Sequence, residues 1–253
     1  MNKQQFISLA TNIKNDTQEN RQILSDKFDL IHTNIECAHD VSEVYYMAHH
    51  ILYNQDKSGE IIEFGCYKGG LSCKLSHVAK LVNKPVILFD SFIGLLESRD
   101  YTRQESLDQN IMENFELGMF ASTMQETTNN LMQFGEISHC SYAPGSIEKL
   151  LPVFSNFNPS FIHIDVDIVD VCLLIIETFW NNITTELMFF HESCIIEMMN
   201  ALSDNNFWQN NFGTNVPIFG NNFYNTDFSL PNTNCLNFIA KPNVQLGEMF
   251  QYE

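Results

Sequence analysis

Positive charge is scarce in this sequence. Thirteen lysines and arginines stand against 31 aspartates and glutamates, a formal net charge of −18. Such a surface repels phosphate backbones and anionic headgroups, so neither nucleic acid nor a membrane is an expected partner. Paired cysteines are also lacking. The seven cysteines are odd in number, scattered, and nowhere spaced C-x-x-C, which argues against a disulfide frame or a structural zinc site. No run of about 20 apolar residues is present to cross a bilayer. The N-terminus, Met1–Asn2–Lys3–Gln4–Gln5–Phe6, leads into polar residues and not into an apolar leader. A reduced, cytoplasmic protein is the expectation. No internal repeat is visible, and the dinucleotide spacing G-x-G-x-x-G is absent.

What is present suffices for one large domain: 253 residues, 44% of them hydrophobic. Residues 1–35 carry spaced apolar positions (Phe6, Leu9, Ile13, Leu24, Phe28, Ile31) that read as amphipathic helices, and Asp40 to Tyr53 reads as a stronger one. From residue 60 onward, strands alternate with helices. Strands are expected at 60–64, 85–89, 137–142, 160–164, 187–190 and 237–240. Helices are expected at about 70–82, 147–151, 170–180 and from 197. This alternation predicts a parallel sheet covered on both faces. Residues 96–135 break the rhythm; they are polar, helical in pattern, and long for a connection, and are read as an inserted lid. The division expected is a helical extension over 1–55 and a ligand-binding domain over 56–253. The segment 205–234, rich in Asn and Phe, has no assignable structure.

The strand Glu60–Ile61–Ile62–Glu63–Phe64 runs into Gly65–Cys66–Tyr67–Lys68–Gly69–Gly70. Glycines there let backbone approach a ligand, and the following helix start offers unpaired N–H groups. The next strand ends in Asp90, an acid placed to take the two hydroxyls of a ribose. Tyr67 in place of a second glycine disfavours a pyrophosphate on the loop. A smaller zwitterionic cofactor such as S-adenosylmethionine suits it better. Cys66, within the loop, reads as a small space-filler.

A second group lies at later strand ends. In Phe161–Ile162–His163–Ile164–Asp165–Val166–Asp167, the histidine and both aspartates share one side of the strand. His191 and Glu192 close the following strand. Carboxylates gathered at one crevice repel each other unless a cation, an arginine or a shared proton offsets them. Oxygen ligands suit Mg²⁺, Mn²⁺ or Ca²⁺. His163 reads as a buried, hydrogen-bonded histidine. His32, His39, His49, His50, His77 and His139 carry no spacing signal.

Four segments together resemble the macrocin O-methyltransferase family: Ile62–Gly70, Phe89–Leu95, Gly145–Pro152 and Ile162–Asp170. They lie within about 60–195. The resemblance implies an α/β Rossmann-like three-layer sandwich with a mostly parallel sheet. It further implies S-adenosylmethionine-dependent methyl transfer to a hydroxyl of a small acceptor, a sugar or natural product, assisted by a divalent metal, and a homo-oligomer. By position, Glu63, Gly65 and Gly69 would line the methionine end of the cofactor, and Tyr67 would also bind the cofactor. Asp90 and Ser91 would hold its ribose, and Ser146 would lie near the adenine. Asp165 would be a metal ligand at the cofactor's edge, and Asp167 the general base. His191–Glu192 stands where the family has two metal-binding aspartates, and Thr184–Thr185–Glu186 replaces its Gly-Gly turn. Glutamate keeps an oxygen donor, while histidine shifts preference from Mg²⁺ toward Mn²⁺, Fe²⁺, Co²⁺ or Zn²⁺. The rival readings are other metal chemistry at His191 and Glu192, or a degenerate member that binds S-adenosylmethionine or S-adenosylhomocysteine without methyl transfer.

Overall fold

The computed structural model describes residues 1–106, 109–191, 194–220, 236–242 and 244. Three helices lead: α1 (Lys3–Ser8), α2 (Gln18–Asn34) and α3 (Val41–Tyr53). Then follow β1 (Ile61–Phe64), α4 (Gly70–Val82) and β2 (Val86–Asp90). A hairpin, β3 (Arg99–Ser106) and β4 (Gln109–Phe115), precedes α5 (Met124–Phe134). The chain continues with β5 (Cys140–Pro144), α6 (Ile147–Phe154), β6 (Phe161–Ile164), α7 (Val169–Phe179) and β7 (Leu187–Phe190). It closes with α8 (Ile196–Ser203), α9 (Asn205–Phe212), β8 (Ile218–Gly220) and β9 (Asn237–Ala240).

The sheet order is β5-β2-β1-β6-β7-β9-β8. The first five strands pair in parallel, and β9 runs antiparallel between β7 and β8. Strand residues alternate between two cores. Ile61, Leu88, Phe161 and Phe189 join α1 to α4 on one face. Ile62, Ile87, Ile164 and Phe190 join α6 to α9 on the other. Burial on both faces explains why these strands read as unbroken apolar runs. Helices on both sides make three layers, as expected.

The N-terminal helices share the first core with the sheet. Arg21 and Asp16 form a fully buried ion pair. Arg21 also donates to the Phe6 carbonyl at 2.7 Å and meets His49 Nδ1 at 2.9 Å, tying α1, α2 and α3 together. Asp40 caps α3 in a reciprocal capping box with Glu43. Among the described residues, no helix is long and apolar enough to cross a membrane.

Three expectations change. The helical reading of 96–135 fails over its first half, where β3 and β4 pair antiparallel from Arg99↔Phe115 to Ser106↔Gln109. The apolar residues that suggested a helix do not share a buried face: Phe115 is buried, while Met112 is 71% exposed. Among the described residues there, only α5 is helical. The fifth strand begins later than expected, at Cys140, after a 3-10 turn at Ile137–His139. The segment 205–234 contains α9 and β8, with 221–235 outside the described residues.

Candidate functional site

Strand order reverses between β1 and β6, and α/β sheets bind ligands in the crevice beyond such a point. A cavity of about 420 Å³ opens there, with Gly65, Tyr67, Asp90, Asp165, Asp167 and His191 on its wall. Thus most of the expected site residues are brought together. Ser91 also reaches the wall, while its hydroxyl donates to the Gly94 carbonyl at 2.6 Å. Ser146 immediately precedes α6, and its hydroxyl donates to Glu148, which lines the cavity. Glu63, Gly69 and Ser146 are not among the lining residues. Glu192 lies outside the described residues.

Backbone geometry explains the loop's composition. Gly65 has φ +82°, and a Cβ there would sit 1.7 Å from the Asp165 carbonyl oxygen. Tyr67 adopts φ +46°, the left-handed region a glycine would occupy without strain. The strain is held from two sides. Cys66 and Tyr67 N–H groups donate to Asp90 Oδ2, both at 2.9 Å, and Phe92 N–H donates to Oδ1 at 2.7 Å. From outside, the Tyr67 carbonyl accepts from Ser122 and Thr127, and Asn130 donates to the Lys68 carbonyl. Asp90 therefore shapes the loop as well as facing the cavity. Cys66 is buried, and burial pushes its thiol well above the ordinary range, consistent with a space-filler.

Glu63 pairs in register with His163, and neither side chain reaches solvent. Both Glu63 carboxylate oxygens lack a hydrogen-bond partner among the described residues. Burial, reinforced by the charges of Asp165 and Asp90, pushes this carboxyl from 4.5 up to about 8. The folded protein thus holds a proton between pH 4.5 and 8 that the unfolded chain has released. Stability accordingly falls as pH rises through that window, by on the order of 4 kcal/mol. Glu63→Gln removes this dependence. Urea midpoints of the ligand-free proteins at pH 5 and pH 8 check it: wild type should fall further than the variant, and parallel declines contradict the assignment.

At the other side of the crevice, strand parity gathers imidazoles. Asp165 and His191 follow β6 and β7 by one residue, and the backbone ladder continues to both. Their side chains turn toward the start of α3, where two residues that sequence reasoning missed, His39 and Glu43, complete a cluster. His39 Nε2 lies 3.2 Å from Asp165 Oδ2, and His191 Nδ1 lies 3.5 Å from Asp165 Oδ1. His39 Nδ1 lies 3.5 Å and His191 Nε2 lies 3.9 Å from Glu43 Oε2. Burial works against a charged Asp165, but the imidazoles of His191 and His39 outweigh it and hold the carboxyl well below its usual range. His163 packs edge-on against His39 with ring centroids 4.6 Å apart. It is buried as expected, yet among the described residues neither ring nitrogen makes a hydrogen bond, and burial pushes its pKa well down. His39 and Glu43 stand at i, i+4 across a helix start, the one sequence signal that could have marked them. Imidazole and carboxylate donors together suit a divalent transition metal.

The hairpin adds the remaining wall. Arg103 Nη1 donates to Glu113 at 3.1 Å, and both residues line the cavity with Phe115. Glu197 at the start of α8 accepts from the backbone N–H of Thr102, and the Tyr101 hydroxyl accepts from Val169 N–H, fixing β3 across the crevice.

Solved structures share this fold. The O-methyltransferase NovP superposes with a TM-score of 0.54 at 11% identity, over 89% of this chain and 81% of that one. The calicheamicin methyltransferase CalS11 gives 0.59 at 13% identity, over 89% and 93%. The chain thus has the Rossmann-like fold of these methyltransferase structures. No protein-family model and no curated protein matches the sequence.

Proposed function

We propose that this protein is an S-adenosylmethionine-dependent O-methyltransferase acting on a hydroxyl of a small acceptor, a sugar or natural product, in the manner of the macrocin O-methyltransferases. One observation carries the reading: Asp90 at the end of β2, which holds the glycine loop, and Asp165–Asp167 beyond the end of β6 face one cavity. A nucleoside-binding half and a proton-accepting half thus share a single enclosure.

The residues fit the cofactor. Asp90 Oδ1 accepts a single backbone N–H and retains acceptor capacity for a ribose hydroxyl, while Oδ2 already takes two N–H groups of the loop. Ile147 and Glu148 at the start of α6 offer an apolar and a polar neighbour for a base. Asp167 is the general base, taking the acceptor's proton. Orientation of the hydroxyl between Asp167 and the hairpin wall supplies much of the remaining acceleration. The hairpin and the residues flanking it serve as the lid. A divalent cation at the histidine–carboxylate cluster would lower the pKa of the acceptor hydroxyl. The wall carries Glu36, Asp90, Glu97, Glu148, Asp165 and Asp167, while its arginine, Arg103, is engaged by Glu113. That balance favours an uncharged acceptor over a phosphorylated one.

A panel of uncharged glycosides and nucleotide sugars, incubated with methyl-labelled S-adenosylmethionine, tests this. Label should appear on an uncharged acceptor. Tight S-adenosylhomocysteine binding with no transfer to any acceptor, in any divalent metal, would instead indicate a binding module. Asp90→Asn should weaken S-adenosylhomocysteine binding by about 10–100-fold, the worth of hydrogen bonds to a charged group. Calorimetric titration reads it, and unchanged affinity removes Asp90 from the cofactor site.

A further inference from the structure

We propose that His39, Glu43 and His191 form a two-histidine, one-carboxylate site for a divalent transition metal, with Asp165 behind it as the group that fixes both rings. One ligand atom from each of the three residues lies within 4.8 Å of the others. Metal bonds of about 2.0–2.2 Å require only slightly closer spacing.

Ring orientation decides the roles. Each imidazole turns one nitrogen to Asp165 and the other to Glu43. Asp165 meets His39 Nε2 with one oxygen and His191 Nδ1 with its other oxygen. A carboxylate that accepts the N–H of a ligating imidazole is the usual support of a histidine–metal bond. With those protons on the Asp165 side, His39 Nδ1 and His191 Nε2 present lone pairs toward the Glu43 carboxylate. Lone pairs facing an anion repel unless a cation stands between them. His39 is 2% exposed, and its Nδ1 makes no hydrogen bond among the described residues. That buried nitrogen is the second, independent sign of a missing partner. Two nitrogens and one carboxylate favour Mn²⁺, Fe²⁺, Co²⁺ or Zn²⁺ over Mg²⁺ and Ca²⁺. The site differs from one built on Asp165 and the end of β7 alone, because α3 supplies two of its three ligands. Metal binding then also pins the N-terminal helices to the strand ends.

The inference rests on reading this cluster as a cation site, not on methyl transfer. Metal-stripped full-length protein titrated with Co²⁺, followed by visible absorption, should bind one ion per chain that excess Mg²⁺ does not displace. His39→Gln and Glu43→Gln should each weaken Co²⁺ binding by more than about 100-fold, and Asp165→Asn by about 10–100-fold with the absorption band retained. Circular dichroism and S-adenosylhomocysteine affinity, measured on the same samples, report folding. Glu43→Gln keeps an acceptor for the Asp40 N–H, so the helix cap survives if the His39 variant does not fold. Unchanged Co²⁺ affinity in His39→Gln overturns the proposal. So does a band lost in Asp165→Asn but kept in His39→Gln. Wild type that binds S-adenosylhomocysteine but no Co²⁺ overturns the metal site and leaves the methyltransferase reading standing. Wild type that binds Co²⁺ and methylates nothing does the reverse.

Discussion

Asp167→Asn should lower kcat for methyl transfer by about 10²–10⁴-fold, the contribution of a positioned general base, while S-adenosylhomocysteine affinity stays within twofold or so of wild type. The substitution is chosen for its backbone. Asp167 sits at φ +59° on the cavity wall, a conformation that asparagine tolerates as well as aspartate does. Alanine there would add strain and confuse a chemical loss with a structural one. Asparagine keeps the size and the hydrogen-bonding reach and removes only the capacity to take a proton. Steady-state kinetics against a methylated acceptor, paired with calorimetry of S-adenosylhomocysteine, separates the two quantities. A kcat that does not change assigns the proton to another group, and a cofactor affinity that falls with it makes Asp167 a binding residue.

The half of the site built on β1 and β2 was legible because local rules govern it. A parallel strand buried on both faces leaves an apolar run, its end leaves an acid, and the turn beyond leaves glycines. Even the irregular Tyr67 was visible as a departure, and its positive φ shows that the loop has there the geometry a glycine adopts cheaply. Glu186 repeats the pattern at φ +60°. The other half was only partly legible. Strand parity foretold that His163 and Asp165 share a side, but not which helix covers that side. His39 and Glu43 lie more than 100 residues before Asp165 in the chain, and only the packing of α3 on the sheet brings them to the strand ends. The hairpin was misread for a related reason. Its two strands form no part of the main sheet, so their outer residues are polar and their few apolar ones fit a helical spacing as readily as an alternating one. Its true constraint is a set of contacts to α7 and α8, through Tyr101 and Thr102, that no local window contains.

The position where fold and site cannot be separated is Gly65. Gly65→Ala should destabilise the protein by on the order of 3–5 kcal/mol and abolish measurable S-adenosylhomocysteine binding. Two costs add. The backbone sits at φ +82°, where an L side chain is strained. The new methyl would also lie 1.7 Å from the Asp165 carbonyl oxygen and 2.8 Å from its carbonyl carbon. Those atoms are backbone, so no rotamer change relieves the contact. Either the end of β1 or the end of β6 must move, and both are fixed: Gly65 N–H donates to the Phe89 carbonyl at 2.8 Å, and Asp165 N–H donates to the Phe64 carbonyl at 2.9 Å. Displacing the first unseats the loop from Asp90, and displacing the second pulls Asp165 from His39 and His191. Urea denaturation gives the stability, and titration with S-adenosylhomocysteine and with Co²⁺ shows which half has moved. A variant as stable as wild type, with both affinities intact, would mean that the two strand ends are not in the close contact on which the whole site depends.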